Sequence, residues 1–330
     1  MHGEIIYNSI APSTRRAYNY AFNSYKSCLI NSLNVSVDHI LPMRGEFVKL
    51  WLTELMYSNK MTYKSIKNYL SGAITIASES LEGCSAAGKI NQLMLPTLKG
   101  IKRILGENNS NPRSKTYLTT KVIQTVINSL PTTNNRTYKQ KLILAAICTG
   151  TYGLMRSGEF LWTGEQIKLL TLGDIIAGDN DRTTIDAVAS STSQIQKMEY
   201  YMVKLRQSKA DQFKAVVIQI CHPVAVEAMK EYLCVHPNRH QSSAVFINQN
   251  GSILSRYQCM LQVRSLLMNA QVENALAFTG HSFRRGGAQS LMDKGFSTEI
   301  IKKMGRWKSE AHSAYTVDTF DSLKAISNSM

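Results

Sequence analysis

For its size, this chain is short of acid: 23 Asp+Glu stand against 38 Lys+Arg in 330 residues, a formal net charge of +15. Charged residues make up only 18% of it, below the roughly 25% usual in soluble domains. The positive excess therefore comes from missing carboxylates and not from a Lys-rich tail. Such a balance favours a folded surface that meets a polyanion, most often nucleic acid. No apolar run reaches the roughly 18 residues of a bilayer span, so no membrane partner is expected. The opening MHGEIIYNSIAPSTRR has no basic stretch followed by an apolar one, and no secretion signal is expected. The six cysteines include no Cys-x-x-Cys pair, which fits a reducing compartment. Cys221, His222, Cys234, His236 and His240 crowd one stretch, but their spacing matches no standard zinc pattern, and no metal is expected. There is no P-loop, and no paired carboxylates are placed to hold magnesium.

What is present suits a globular protein. Hydrophobic residues are 44% of the chain, which excludes wholesale disorder, and the length suggests about two domains. The first third reads as amphipathic helices. Pro12-Ser13-Thr14 opens one that carries Tyr18, Ala21, Phe22, Tyr25 and Leu29. A second carries Phe47, Val48, Trp51, Leu52 and Leu55. A third, from Thr62, carries Ile66, Tyr69, Leu70, Ala73 and Ile74. A fourth runs from Ile90 to Leu105, with an interruption expected at Pro96. The polar stretch from Gly106 to Lys115 has no large apolar residue and reads as a linker. Beyond it, helical patterns at 119–130 and 138–149 give way to two Val-, Ile- and Tyr-rich runs, Tyr200–Leu205 and Phe213–Ile220. The polar turn Arg206–Gln212 between those runs predicts a hairpin. After Pro223 the pattern is helical again, around 255–270, 282–294, 297–305 and 309–316.

Four short pieces of the second part carry chemistry. In Gly153-Leu154-Met155-Arg156-Ser157-Gly158-Glu159, an arginine among apolar residues has a carboxylate three positions on, the spacing of a buried ion pair. Lys209 sits on the hairpin turn. In Thr279-Gly280-His281-Ser282-Phe283-Arg284-Arg285-Gly286-Gly287, a helical start places His281 and Arg284 on one face, with Ser282 as a candidate cap. The paired glycines permit close approach of a ligand or another helix. Gly305-Arg306-Trp307 comes last, followed by Tyr315. Taken together, these residues form a cationic donor set around one hydroxyl nucleophile. A metal-free site of that kind suits in-line attack on a phosphodiester: arginines stabilise the transition-state charge, and a lysine protonates the departing oxygen.

The ordered set Arg156, Lys209, His281-x-x-Arg284, Trp307, Tyr315 resembles the tyrosine recombinase (phage integrase) superfamily. The phrases His-Ser-Phe-Arg-Arg-Gly-Gly and Gly-Arg-Trp are most similar to its eukaryotic Crypton- and DIRS-type branch. The resemblance implies a mainly α fold in two parts: an N-terminal four-helix, SAM-like core-binding DNA clamp over 1–105, a linker over 106–116, and an α+β catalytic domain with a small antiparallel sheet over 117–330. It implies that Tyr315 forms a 3′-phosphotyrosyl bond. Arg156 and Arg284 would hold the scissile phosphate, Lys209 would be the general acid (with Lys204 as competitor), and His281 would assist proton transfer. Trp307 would donate its indole N–H to the phosphate, and Glu159 would orient Arg156. It further implies site-specific recombination of double-stranded DNA for a mobile element, without cofactor, metal or ATP. The protein would act as a homo-tetramer on DNA, monomer or weak dimer when free, in the nucleus, or in the cytoplasm if the source is prokaryotic or viral. The C-terminal tail would dock in cis or on a neighbouring subunit. Arg15, Arg16, Lys64, Lys67, Lys99, Lys102, Arg103 and Arg285 are the expected DNA contacts outside the catalytic set. Two other readings stand beside this one: a type IB topoisomerase-like nicking and resealing enzyme, and a catalytically silent DNA-binding protein derived from a recombinase.

Overall fold

The computed structural model describes residues 10–79, 81–105, 116–164, 169–181, 183–206 and 215–307, with backbone alone for 81–88. The chain divides into two compact units, Met1–Arg113 and Ser114–Met330. The linker expected over 106–116 lies almost wholly outside the described residues.

Among the described residues, the first unit has four α-helices: α1 (Pro12–Ser27), α2 (Gly45–Tyr57), α3 (Tyr63–Ala77) and α4 (Leu81–Leu105). Proline begins α1, where its missing N–H has no intrahelical partner to lose. The Thr62 side chain caps α3 by accepting from the Ser65 N–H. The periodic apolar residues meet as expected, with Tyr25, Leu29, Trp51, Leu52, Leu55, Ile66 and Met94 all fully enclosed. Tyr25 and Trp51 pack edge to face, centroids 5.4 Å apart, and the indole N–H donates to Ser24 Oγ at 3.2 Å. Against the expected interruption, α4 continues through Pro96. One ladder bond is lost there, while Met94, Leu98 and Ile101 stay buried to either side and hold the helix on its core. Arg15 also differs from the exposed cation expected: it is buried, and Nη1 pairs with both Glu79 carboxylate oxygens at 2.8 Å.

The second unit is mainly helical around a four-stranded antiparallel sheet. Its helices are α5 (Thr120–Ser129), α6 (Tyr138–Tyr152), the single turn α7 (Ser157–Phe160), the short α8 (Thr192–Ile195), α9 (Pro223–Leu233), α10 (Arg256–Asn269), α11 (Ser282–Asp293) and α12 (Thr298–Gly305). The strands β1 (Ile175–Gly178), β2 (Thr184–Asp186), β3 (Tyr200–Leu205) and β4 (Val216–Ile220) lie in the order β2-β1-β3-β4. The predicted pairing of β3 with β4 is present, with Val203 opposite Ile218. Tyr201, Val203 and Leu205 turn inward and Lys204 outward, the period-2 pattern of a strand with one buried face. The strands β1 and β2 extend the sheet beyond the predicted hairpin.

Helix α6 runs through the centre of this unit, with every residue from Leu142 to Thr151 buried. It starts at a capping box in which Thr137 and Gln140 exchange hydrogen bonds with each other's backbone. Its end is covered by α11, and the paired glycines make that contact possible. A Cβ on Gly286 would fall on the Leu118 backbone, and one on Gly287 on the Thr151 carbonyl. Their use is therefore backbone-to-backbone packing. Within the histidine and cysteine stretch, His236 is buried against the Ala244 and Val245 carbonyls and the His222 ring stacks on Tyr152, while Cys221 and His240 are exposed.

Candidate active site

Three elements bring the arginines together. Helix α6 ends at Gly153, and Leu154 then takes a left-handed conformation, φ 46°, before the chain re-enters a helix at Ser157. Arg156 occupies the N-cap of that turn. Glu159, in the third position of α7, accepts the Arg156 backbone N–H at 2.9 Å and Arg156 Nη1 at 2.8 Å. A carboxylate at a helix start is favourable by itself, and here it also fixes the arginine. The expected Arg156–Glu159 pair is thus present, with Glu159 buried and the Arg156 side chain 23% exposed.

Glu159 has a second cation. Arg306 ends α12 in the left-handed region, φ 58°, and its Nη2 meets the other Glu159 oxygen at 2.9 Å. Arg306 also lies 3.4 Å from the Gly153 and Leu154 carbonyls. Burial pushes its pKa down and the Glu159 charge pushes it up. A guanidinium keeps its proton under such opposing influences, so one carboxylate serves two positive charges. Sequence reasoning gave Arg306 no role. The Gly-Arg-Trp triplet was the available signal, but an arginine beside a tryptophan shows no periodicity to betray its burial.

Arg284, in the first turn of α11, is completely buried. Its Nη1 donates to the Leu154 carbonyl at 3.0 Å, its Nη2 to the Gly305 carbonyl, and its guanidinium lies 4.2 Å from the Trp307 ring centroid. Trp307 presents its face to Arg284 and packs against the small cluster of Leu154, Ala288 and Ile301. Arg284 and Arg306 therefore share one backbone carbonyl, that of Leu154, and Arg306 and Arg156 share one carboxylate. The structure joins these three arginines, Glu159 and Trp307 in one continuous network.

His281 is exposed at the N-cap of α11. Ser282 is not the cap: its hydroxyl accepts from the Thr279 N–H at 2.9 Å and meets Thr116 Oγ1 at 2.9 Å, which ties the turn before the helix to the start of the unit. Arg285 is half-buried near Tyr117, whose pKa is raised by burial and partly offset by that arginine. Lys204 is exposed on β3. Lys209 and Tyr315 lie outside the described residues. Of the other expected DNA contacts, Arg16, Lys64, Lys67, Lys99, Lys102 and Arg103 are exposed on the first unit, and Arg15 is engaged with Glu79. Chemically, the network joins three guanidinium charges to one carboxylate and so carries net positive charge, with Arg284 enclosed and Arg156 and Arg306 partly exposed.

The phage integrase family model matches residues 188–320, a span that holds Lys209, His281, Arg284, Arg306, Trp307 and Tyr315 and begins after Arg156 and Glu159. No curated protein matches the chain in sequence. Among solved structures, the chain is similar to the XerH site-specific recombinase bound to its difH substrate (TM-score 0.55, 16% identity, 93% of this chain and 78% of that one). It is also similar to a lambda integrase dimer bound to a core site (TM-score 0.53, 15% identity, 97% and 94%). A third similar structure is the Tn1549 transposon integrase in complex with a circular intermediate DNA (TM-score 0.52, 14% identity, 94% and 99%). The predominantly helical chain with its small antiparallel sheet has the tyrosine recombinase fold, and residues 188–320 match the phage integrase family model.

Proposed function

We propose that this protein is a site-specific DNA recombinase that cuts and rejoins strands through a 3′-phosphotyrosyl intermediate and moves a mobile element of the Crypton or DIRS type. The observation that carries the reading is the network Arg156–Glu159–Arg306 and Arg284–Leu154–Arg306. It supplies fixed positive charge where a phosphoryl transition state gathers negative charge. Tyr315 is the proposed nucleophile and Lys209 the proposed general acid. The phosphotyrosyl bond conserves the energy of the broken phosphodiester, so rejoining needs neither metal nor ATP. Duplex DNA bound by a homo-tetramer, acting in the nucleus, belongs to the same proposal. Because Arg284 is fully enclosed, a phosphate reaches it only after local opening.

Covalent trapping tests this. Wild-type protein and Tyr315→Phe are incubated, without metal, with nicked duplexes drawn from sequences flanking the gene, and SDS-resistant adducts are sequenced. Adducts in the wild type alone, through a 3′ phosphate, are expected. Adducts persisting in the Phe variant would move the nucleophile elsewhere. Tight binding with no adduct from either protein would favour the silent DNA-binding reading.

A further inference from the structure

Arg306 sits at a junction of charges. Its Nη2 meets one oxygen of Glu159 at 2.9 Å, while Arg156 Nη1 holds the other at 2.8 Å. The two guanidiniums thus divide a single buried carboxylate. Paired with Arg156 alone, that carboxylate would fix the arginine and also cancel its charge, because the anion that orients a cation opposes its field. Arg306 supplies a second positive charge, so the trio keeps one net positive charge. Arg156 is the most exposed of the three, its side chain 23% exposed against 13% for Arg306 and 6% for Glu159. Burial lowers the Arg306 pKa first of all, Glu159 raises it and Arg156 lowers it again, which puts both neighbours within electrical reach. The left-handed conformation that ends α12, with the Gly153 and Leu154 carbonyls at 3.4 Å, sets where this guanidinium lies.

We propose that Arg306 is a positioning residue that acts through Glu159: it takes up the charge of that carboxylate and leaves the Arg156 guanidinium, held but not neutralised, for the scissile phosphate. This role rests on the recombinase reading and gives a task to a residue outside the set expected from the sequence. A phosphodiester brings one negative charge to the site and gains a second on its non-bridging oxygens as the nucleophile adds, so the demand on Arg156 is greatest in the transition state. A methylphosphonate linkage, in which a methyl group replaces one non-bridging oxygen, starts neutral and gains a single charge. Its cleavage depends less on Arg306.

The test compares the two linkages at the cleavage site recovered by covalent trapping, with the full chain at saturating concentration and the single-turnover rate of adduct formation as the readout. On the phosphodiester, Arg306→Gln is expected to slow cleavage about tenfold, less than the roughly 10²–10³ lost with a donor that touches the reacting group. On the methylphosphonate the same variant should lie close to wild type. A variant that folds only in part is slowed by the same factor on both linkages, so the ratio of the two rates separates charge from scaffold. Arg306→Lys keeps the charge and should recover most of the loss. An equal defect on both linkages, an unaltered phosphodiester rate in Arg306→Gln, or equal defects in the Gln and Lys variants would each overturn this role and leave the recombinase reading standing. If wild-type protein cleaves the phosphodiester alone, the comparison of Lys with Gln decides. No adduct from wild-type protein on either linkage would overturn the recombinase reading and this role with it.

Discussion

Glu159 and Arg306 stand 147 positions apart in sequence and 2.9 Å apart in space, and the same carboxylate holds Arg156 at 2.8 Å. Glu159→Gln removes the charge and keeps the shape. Breaking a buried ion pair from one side costs about 3–5 kcal/mol because the partner's charge is left without compensation. Here Arg156 is 23% exposed and partly hydrated, so a loss of about 3 kcal/mol is expected. The urea midpoint at neutral pH measures it, and a midpoint equal to wild type would mean that Glu159 is not the anchor of the network.

Two glycines should respond in opposite directions. At Gly286 an added Cβ falls on the Leu118 backbone, which has no side-chain freedom to yield, so Gly286→Ala should cost about 3 kcal/mol. Gly100, inside α4, has nothing within 4 Å of its would-be Cβ. Gly100→Ala should therefore stabilise by about 1 kcal/mol, the helix-propensity difference. Thermal melts of the two variants, read against wild type, check both signs.

His236 makes the second unit sensitive to mild acid. Its Nδ1 accepts the Asn238 N–H at 3.3 Å, so the proton is on Nε2, 3.2 Å from the Ala244 and Val245 carbonyls. Burial lowers its pKa below the ordinary 6.5, and that of His222 moves in the same direction. Between the lowered value and 6.5 the unfolded chain binds more protons, so the stabilisation is complete above about pH 6.5 and is lost as pH falls. Denaturant midpoints from pH 7.5 to 5 should decline, with up to about 1.4 kcal/mol per pH unit coming from each histidine. His236→Gln should flatten that slope, and an identical slope in the variant would remove His236 as its source.

On the first unit, Lys64 and Lys67 sit three apart on α3, and Lys99, Lys102 and Arg103 share one face of α4, all exposed along with Arg16. If these six cations neutralise about six phosphates, log K for duplex DNA should fall against log salt with a slope near −5. Arg15→Ala should leave the slope unchanged, because that side chain pairs with Glu79. A flat salt dependence would rule out the clamp.

Much of this architecture was legible because long elements repeat their signal. Tyr25 and Leu29, Trp51 and Leu55, and Ile66 and Leu70 each stand four apart on their own helical segments, and all are buried. The strands β1 and β2, of four and three residues, are too short for alternation to stand out, so only the hairpin was foreseen. Arg156, Glu159, His281, Arg284 and Trp307 stood out through order and spacing, and the Arg156–Glu159 pair was expected, but the complete burial of Arg284 was not. Arg284 and Trp307 read as groups aimed at a phosphate, yet the structure stacks one on the other inside a packed cluster. Nor does local pattern distinguish Arg15 from Arg16: adjacent arginines on one helix differ because only one turns toward Glu79.

The Leu154 carbonyl receives a side chain from position 284 and another from position 306. During synthesis the amino-terminal part emerges and folds first, and at that stage Leu154 has neither partner. An unfinished polypeptide, or one shortened before position 306, thus keeps the Arg156–Glu159 pair but leaves Glu159 without its second cation. The network is complete only in a chain that extends at least to Trp307.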